Sequence, residues 1–342
     1  MTDIRTRLKA LKTPVVLYGT GDGADRLLAD LKSLGVKISG VFASDGFVRK
    51  REFGGFPVES FNTLFSRFPD MTVLMCFGSE RREVLENVKR ISSKVPLYFP
   101  EYPVYGDSIF TAEFAREHKN ELEAVRSILA DELSVKTFDN IVNFRLTGEI
   151  KYLFECESEN EPLFSLPKDT VFLDLGAYNG DTVRRFTEEN RSYGAVIAAE
   201  PDSVSFRKLT ANTANIENIT LLNNAVGDVD GVIFVDSKKG RGTHVSSDGK
   251  KAVRSFCVDG LLKDESRPIY IKADVEGNEQ AFIGGAQKTI SSKRPVMRIA
   301  CYHRSEDIFA LPLAVLGLNG GYKVFLRHKK GVPSWNTEYF FV

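Results

Sequence analysis

Twice along this chain a short apolar run ends in a glycine-rich turn and passes straight into a helical pattern. Residues 14–18 (PVVLY) lead into Gly19-Thr20-Gly21-Asp22-Gly23-Ala24, and residues 171–175 (VFLDL) lead into Gly176-Ala177-Tyr178-Asn179-Gly180-Asp181. A short continuous apolar run fits a strand buried on both faces, and such strands belong to parallel sheets covered by helices. The fold class expected is therefore α/β. With 342 residues the chain has room for two domains and a connector.

The alternation continues on each side of these two turns. In the first series, strands are expected over 14–18, 36–42, 71–77 and 95–99. Helices are expected over 24–34, where Leu27, Leu28, Leu31 and Leu34 share a face, and over 80–91. This is a small Rossmann-like domain over residues 1–103. Residues 104–164 read as a helical connector, with helices over 110–133 and 138–146. Its stripe Leu122, Val125, Ile128, Leu129 and Leu133 needs burial, so it is expected to pack on its neighbour. The second series fills residues 165–342, with strands over 171–175, 195–199, 219–222, 269–273, 296–300, 323–326 and 338–342. Helices fall over 181–188, 203–214 and 278–290. Two further short strands, 232–235 and 253–258, flank a Gly/Ser/Lys loop.

Charge and cysteine content narrow the function. Lys+Arg and Asp+Glu both number 46, which argues against a nucleic-acid or polybasic membrane partner. No apolar run approaches the roughly 20 residues of a membrane span. The first residues lack the apolar core of a secretory signal, and a cytoplasmic location is expected. Cys76, Cys156, Cys257 and Cys301 are too scattered for a disulfide framework or a cysteine zinc site. The four histidines show no zinc spacing, and no metal ligand is assigned.

The second glycine turn carries the sharpest chemistry. Gly176 and Gly180 let backbone approach a ligand closely, with Ala177 between them, and the next helix offers free amides. Asp174 and Asp181 bracket the turn. They would repel a pyrophosphate and suit a sulfonium and an α-amino group, so the loop points to S-adenosylmethionine. Glu200 ends the next strand, where a carboxylate can accept both ribose hydroxyls. Asn224, in the turn Asn223-Asn224-Ala225-Val226-Gly227-Asp228, is placed to flank an adenine.

Lys272, Asp274 and Glu276 follow a period of two at another strand end. Two carboxylates beside an ammonium can orient a polyol, share a proton or hold a metal; magnesium is the less favoured of these. Glu279, at the helix start, is as readily structural. His303, in Cys301-Tyr302-His303-Arg304, is the candidate general base, because an ordinary imidazole titrates near neutrality. His244 sits in the loop 238–244, which could close over an acceptor. His118 is expected at the surface and His328 lies near the chain end.

The blocks FLDLGAYNGDT (172–182), AAEPD (198–202), NNAVGD (223–228), FCVDGLL (256–262), IKADVEGNEQAFIGGA (271–286), RIACYHRSEDIFALP (298–312) and FLRHKKGVPSWNTEYFFV (325–342) occur in this order. In these blocks the second half resembles the FkbM-type family of S-adenosylmethionine-dependent methyltransferases. The resemblance covers roughly 165–342, with a weaker lead-in over 131–148. It implies a class I methyltransferase fold: a mostly parallel seven-stranded sheet closed by an antiparallel hairpin. It also implies O-methylation of a hydroxyl on a sugar, glycan or natural product. The first glycine loop, with Asp45 after the second strand and Gly55-Phe56-Pro57-Val58 beyond, resembles amino-terminal nucleotide-sugar-binding domains of some sugar-modifying enzymes. Asp22 would oppose a phosphate there, so sugar or nucleotide binding stands beside a scaffold or homodimerisation role. The alternatives are a nucleotide-sugar-binding protein, or an oxidoreductase using the first domain; the latter lacks a Tyr-x-x-x-Lys near that loop.

Overall fold

The computed structural model describes residues 2–44, 52–158, 163–237, 243–245 and 251–342. Two sheets organise it. The first runs, edge to edge, Glu52–Phe53, Phe56–Glu59, Ile38–Phe42, Val15–Tyr18, Thr72–Met75, Leu97–Tyr98. Its pairings are parallel except for the short hairpin at the Glu52–Phe53 edge. The second has the order Val324–His328, Thr337–Phe341, Val296–Ala300, Ile269–Ala273, Val171–Leu175, Ala195–Ala199, Ile219–Leu222. Five strands are parallel and Thr337–Phe341 joins antiparallel to both its neighbours. This is the seven-stranded arrangement with a closing hairpin that the resemblance implied. The short strands flanking the Gly/Ser/Lys loop form a separate four-stranded sheet of Ala225–Val226, Lys251–Phe256, Gly231–Ser237 and Thr243–Val245.

Burial explains why the central strands read as continuous apolar runs. Every residue of Val171–Leu175 and of Ile269–Ala273 is buried, because helices cover both faces. Two of those buried residues are charged. The parallel register sets Lys272 opposite Asp174, and both positions lie at the centre of the sheet.

The connector differs from its expected form. The helix expected over 110–133 is two helices, Ala112–Glu117 and Lys119–Ile128, broken at His118. His118 is half-buried and stacks on Phe309 at 4.7 Å, instead of lying on the surface. The next helix, Glu132–Thr147, begins earlier than expected because Asp131 accepts from Ser134 N at 2.8 Å. It ends at Gly148, whose φ of 68° is left-handed. The helix expected over 278–290 stops at Gly284, where Gly285 packs so tightly that a Cβ would lie 2.2 Å from Gly227 O.

One apolar cluster reaches into all three parts of the chain. Val16 and Val73 of the first sheet, Phe138 and Phe144 of the connector, and Leu173 and Ile271 of the second sheet belong to a single apolar cluster. Buried Arg145 lies 3.3 Å from Glu101 and donates to Cys301 O at 3.1 Å, tying the connector to both sides. No helix among the described residues is long and apolar enough to cross a membrane.

His328 sits fully inside this core, with Nδ1 3.0 Å from Thr337 Oγ1. Burial pushes its imidazole down to about 4. The unfolded chain therefore binds a proton that the folded chain resists. The neutral form's contribution is complete above pH 6.5 and lost as the pH falls toward 4. Between pH 7.5 and pH 5 the loss is about 2 kcal/mol. His328→Gln is expected to shrink the acid-induced drop in urea-unfolding free energy by that amount; an equal drop in both proteins would refute it.

Candidate functional site

The glycine turn after Val171–Leu175 is shaped by close backbone packing. Gly176 has φ of 78°, and a Cβ there would lie 1.9 Å from Asp274 O, so no other residue fits. Gly176 N and Ala177 N both donate to Ala199 O at 3.0 Å. Gly180, φ 82°, opens the helix Asp181–Glu189. Asp181 is exposed on its first turn, and its Oδ1 accepts from Thr182 N at 2.9 Å, a favourable place for a carboxylate.

Glu200 holds this turn from the next strand. Its Oε2 accepts from Tyr178 N at 2.9 Å and its Oε1 from Asp202 N at 2.8 Å. Glu200 is buried, which pushes its carboxyl up against the two amides that favour the charge. Asn223 Nδ2 donates to Glu200 O at 2.8 Å, and Asn224 follows half-buried in the same turn. Tyr178, with φ of 47°, leaves its ring more than half exposed above the loop.

Asp174 is 0% exposed beneath this loop, and its charge partner is Lys272 Nζ at 3.3 Å. Lys272 in turn donates to Gly176 O at 2.9 Å. Burial raises the Asp174 carboxyl and Lys272 opposes the rise. For Lys272 burial works against the charge, and Asp174 and Asp274 overcome it and raise its pKa. The expected place of Lys272 beside the acceptor is thus replaced by one beneath the turn.

The carboxylates past Ile269–Ala273 form the chemically richest cluster. The period of two breaks after the strand, because Glu276 is left-handed at φ 56° and Gly277 at 87°. The turn nonetheless brings the side chains together around one imidazole. His303 Nε2 lies 3.5 Å from Asp274 Oδ1 and 3.6 Å from Glu276 Oε2, and its Nδ1 lies 2.9 Å from Glu279 Oε1. Asp274 and Glu276 are about a third exposed, at 31% and 36%, whereas the side chains of His303 and Glu279 are 1% exposed. His303, expected to reach an acceptor hydroxyl, is therefore walled off behind the two carboxylates. Burial would lower its pKa, but Glu279 first, then Asp274 and Glu276, raise it to about 9. It does not have the near-neutral value expected of it. Burial raises the Asp274 carboxyl, and Lys272 and His303 outweigh that and lower it.

Two tyrosines complete the cluster. Tyr302 OH donates to Asp274 Oδ1 at 3.0 Å, and Tyr105 OH donates to Glu276 Oε2 at 2.8 Å. Tyr302 directly precedes His303 in the chain. Tyr105 comes from the connector, and nothing in its sequence surroundings ties it to residues 171 positions away. Glu279, read equally as structural, is the nearest partner of His303.

His244 lies on the edge strand Thr243–Val245, where only its backbone is described; its flanking loop residues 238–242 and Asp45 lie outside the described residues. In the first half, Gly23 of the helix Asp22–Ser33 packs closely enough that a Cβ would lie 2.2 Å from Cys76 O. A separate cavity of about 200 Å³, which the glycine loop does not line, opens beside Ser44, Phe61, Asn87 and Arg90.

Residues 174–324 match the model of the methyltransferase FkbM domain. The crystal structure of a methyltransferase FkbM from Methylobacillus flagellatus KT is similar over 96% of this chain and 90% of that one, with a TM-score of 0.74 and 20% identity. The fold is that of class I methyltransferases. Fibrillarin from Aeropyrum pernix, in complex with natively bound S-adenosyl-L-methionine, is similar over 53% of this chain and 70% of its own (TM-score 0.32, 15% identity). A precorrin-6y C5,15-methyltransferase from Geobacter metallireducens GS-15 is similar over 52% and 80% (TM-score 0.30, 15% identity). No curated protein matches the sequence significantly.

Removing the cation beneath the loop tests the local electrostatics. Lys272→Met leaves Asp174 buried and unpaired, and is expected to cost about 3–5 kcal/mol in denaturant unfolding. The double variant Asp174→Leu/Lys272→Met is expected to recover most of that loss. A single variant as stable as the parent would show that Asp174 needs no cation.

Proposed function

We propose that this chain is an S-adenosylmethionine-dependent O-methyltransferase acting on a hydroxyl of a sugar, glycan or natural product. The observation that carries the reading is the strand order at the carboxyl end of Val171–Leu175, where folds of this class have their crevice. That strand sits between Ala195–Ala199 on one side and Ile269–Ala273 on the other. The chain runs to one side first and the other later, which makes this the topological switch point where open α/β sheets bind ligands. The glycine turn lines one wall of the crevice and the Asp274 cluster the other.

In this reading the cofactor lies across Gly176, Ala177 and Gly180. Its ribose faces Glu200, its adenine Asn224, and its amino acid end the exposed Asp181 at the helix start. Asp174 and Lys272 act from below by fixing the turn. The methyl group passes from the sulfonium to the acceptor oxygen in line. The donor is already activated, so the protein contributes chiefly alignment and exclusion of water. Asp274, about a third exposed and with its backbone carbonyl packed against Gly176, accepts the hydroxyl proton, while His303 and Tyr302 hold it in place. Glu276 contacts the rest of the acceptor. Two carboxylates side by side favour an acceptor with adjacent hydroxyls over an anionic one. A ligand or dimer contact in the first domain remains part of the proposal, supported by the cavity beside Arg90 and Asn87.

Calorimetry with S-adenosylhomocysteine tests the cofactor half. Glu200→Ala is expected to weaken binding ten- to hundredfold, about 1.5–3 kcal/mol for a bond to a charged group. No binding by the parent protein, or equal binding by the variant, would overturn the assignment. A screen of nucleotide sugars and glycans with labelled S-adenosylmethionine tests the acceptor half. With the acceptor found, Asp274→Asn is expected to lower turnover about 100- to 10,000-fold while S-adenosylhomocysteine affinity stays within about threefold. Full turnover in Asp274→Asn would remove it as the proton acceptor.

A further inference from the structure

We propose that Asp274, Glu276 and His303 form a binding site for one divalent cation. His303 is 1% exposed, and neither of its ring nitrogens makes a hydrogen bond of good geometry. Its Nε2 points at two carboxylate oxygens, Asp274 Oδ1 at 3.5 Å and Glu276 Oε2 at 3.6 Å. These separations are long for hydrogen bonds. They are close to the spacing of two donors that share one ion. Donors about 2.1 Å from a cation, at octahedral to tetrahedral angles, stand about 3.0–3.4 Å apart. A movement of a few tenths of an ångström seats an ion, and Glu276, more than a third exposed, has the freedom to make it.

The outer contacts are those of a metal centre. A ligating histidine characteristically presents its other nitrogen to a carboxylate, and ligating carboxylates are themselves hydrogen-bonded. All three groups here meet that description. Glu279 Oε1 faces His303 Nδ1 at 2.9 Å, and Glu279 is itself fixed by Val275 N, which donates to it at 2.9 Å. Tyr302 OH orients the inner oxygen of Asp274 and Tyr105 OH that of Glu276. Donor atoms of Asp274, Glu279 and His303 all lie within 4.8 Å of one another. The charge balance agrees: three carboxylates surround one imidazole, and a dication that takes the place of the Nε2 proton offsets their excess. One nitrogen and two carboxylate oxygens suit manganese or zinc better than calcium. Three protein donors leave positions for water or for two oxygens of a diol.

The inference concerns the cation alone and stands apart from the cofactor reading. Full-length protein stripped with a chelator is titrated with Mn2+ only, followed by electron paramagnetic resonance and calorimetry. One Mn2+ per chain is expected, with a raised melting temperature. Glu276→Gln, on the most exposed donor, is expected to weaken Mn2+ at least tenfold. Tyr105→Phe is expected to weaken it about ten- to hundredfold, as loss of an outer partner does. Zn2+ is expected to compete and Ca2+ to compete poorly. Absence of saturable Mn2+ or Zn2+ binding up to about millimolar concentration, or equal affinity in Glu276→Gln, would overturn the site. Failure to bind S-adenosylhomocysteine would leave the cation result unchanged.

Discussion

The pairing of Lys272 with Asp174 in the middle of the second sheet is the constraint on which the site depends. Two charges are held almost free of water by strands covered on both faces, and each is the other's main compensation. The same ammonium holds Gly176 O and lowers the Asp274 carboxyl through space. One buried cation thus fixes the glycine turn and sets the field at the opposite wall of the crevice. The geometry requires the parallel register that places position 272 beside position 174.

Around that pair the charged groups fall into two layers. Asp174, Lys272, Glu279 and His303 are buried and act by holding others. Asp274, Glu276 and Asp181 reach solvent and can meet a ligand. Asp174 and Lys272 are buried because they lie inside strands enclosed by helices, and Asp274 reaches solvent just past the end of its strand. His303 and Glu279 lie beyond the strands and are buried by packing against each other and their neighbours. Glu200 lies between the layers, buried and bound by two amides, one of them in the glycine turn.

The amino-terminal part is built into the site's surroundings. The apolar core is continuous from Val73 through Phe144 to Ile271, and Arg145 bridges Glu101 and Cys301 O. Tyr105 N donates to His303 O at 3.0 Å, and its ring lies where a Cβ on Gly277 would meet it at 2.8 Å. Residues before 165 therefore supply part of the wall around the Asp274 cluster. Each half also has an apolar cluster of its own, around Leu17, Leu27 and Leu74 in the first and around Phe172, Val196 and Leu209 in the second.

The sequence by itself determined the α/β class, most strands of both sheets, the glycine turn, and the residue types at the strand ends, because each is local. An apolar run, a glycine needed for close approach and an acid after a strand are all legible in a few consecutive residues. Elements without such a signal stayed hidden. The helix Asp307–Leu318 is apolar on nearly every side and has no amphipathic period to reveal it, and Glu52–Phe53 and Phe56–Glu59 are too short to show alternation. Only the tertiary structure decided which charges face a ligand. Burial of Asp174 and His303, the partnership of Glu279 with His303, and the arrival of Tyr105 from the connector arise between segments far apart in the chain. Register and packing set those distances, and neither is written in the spacing of neighbouring residues.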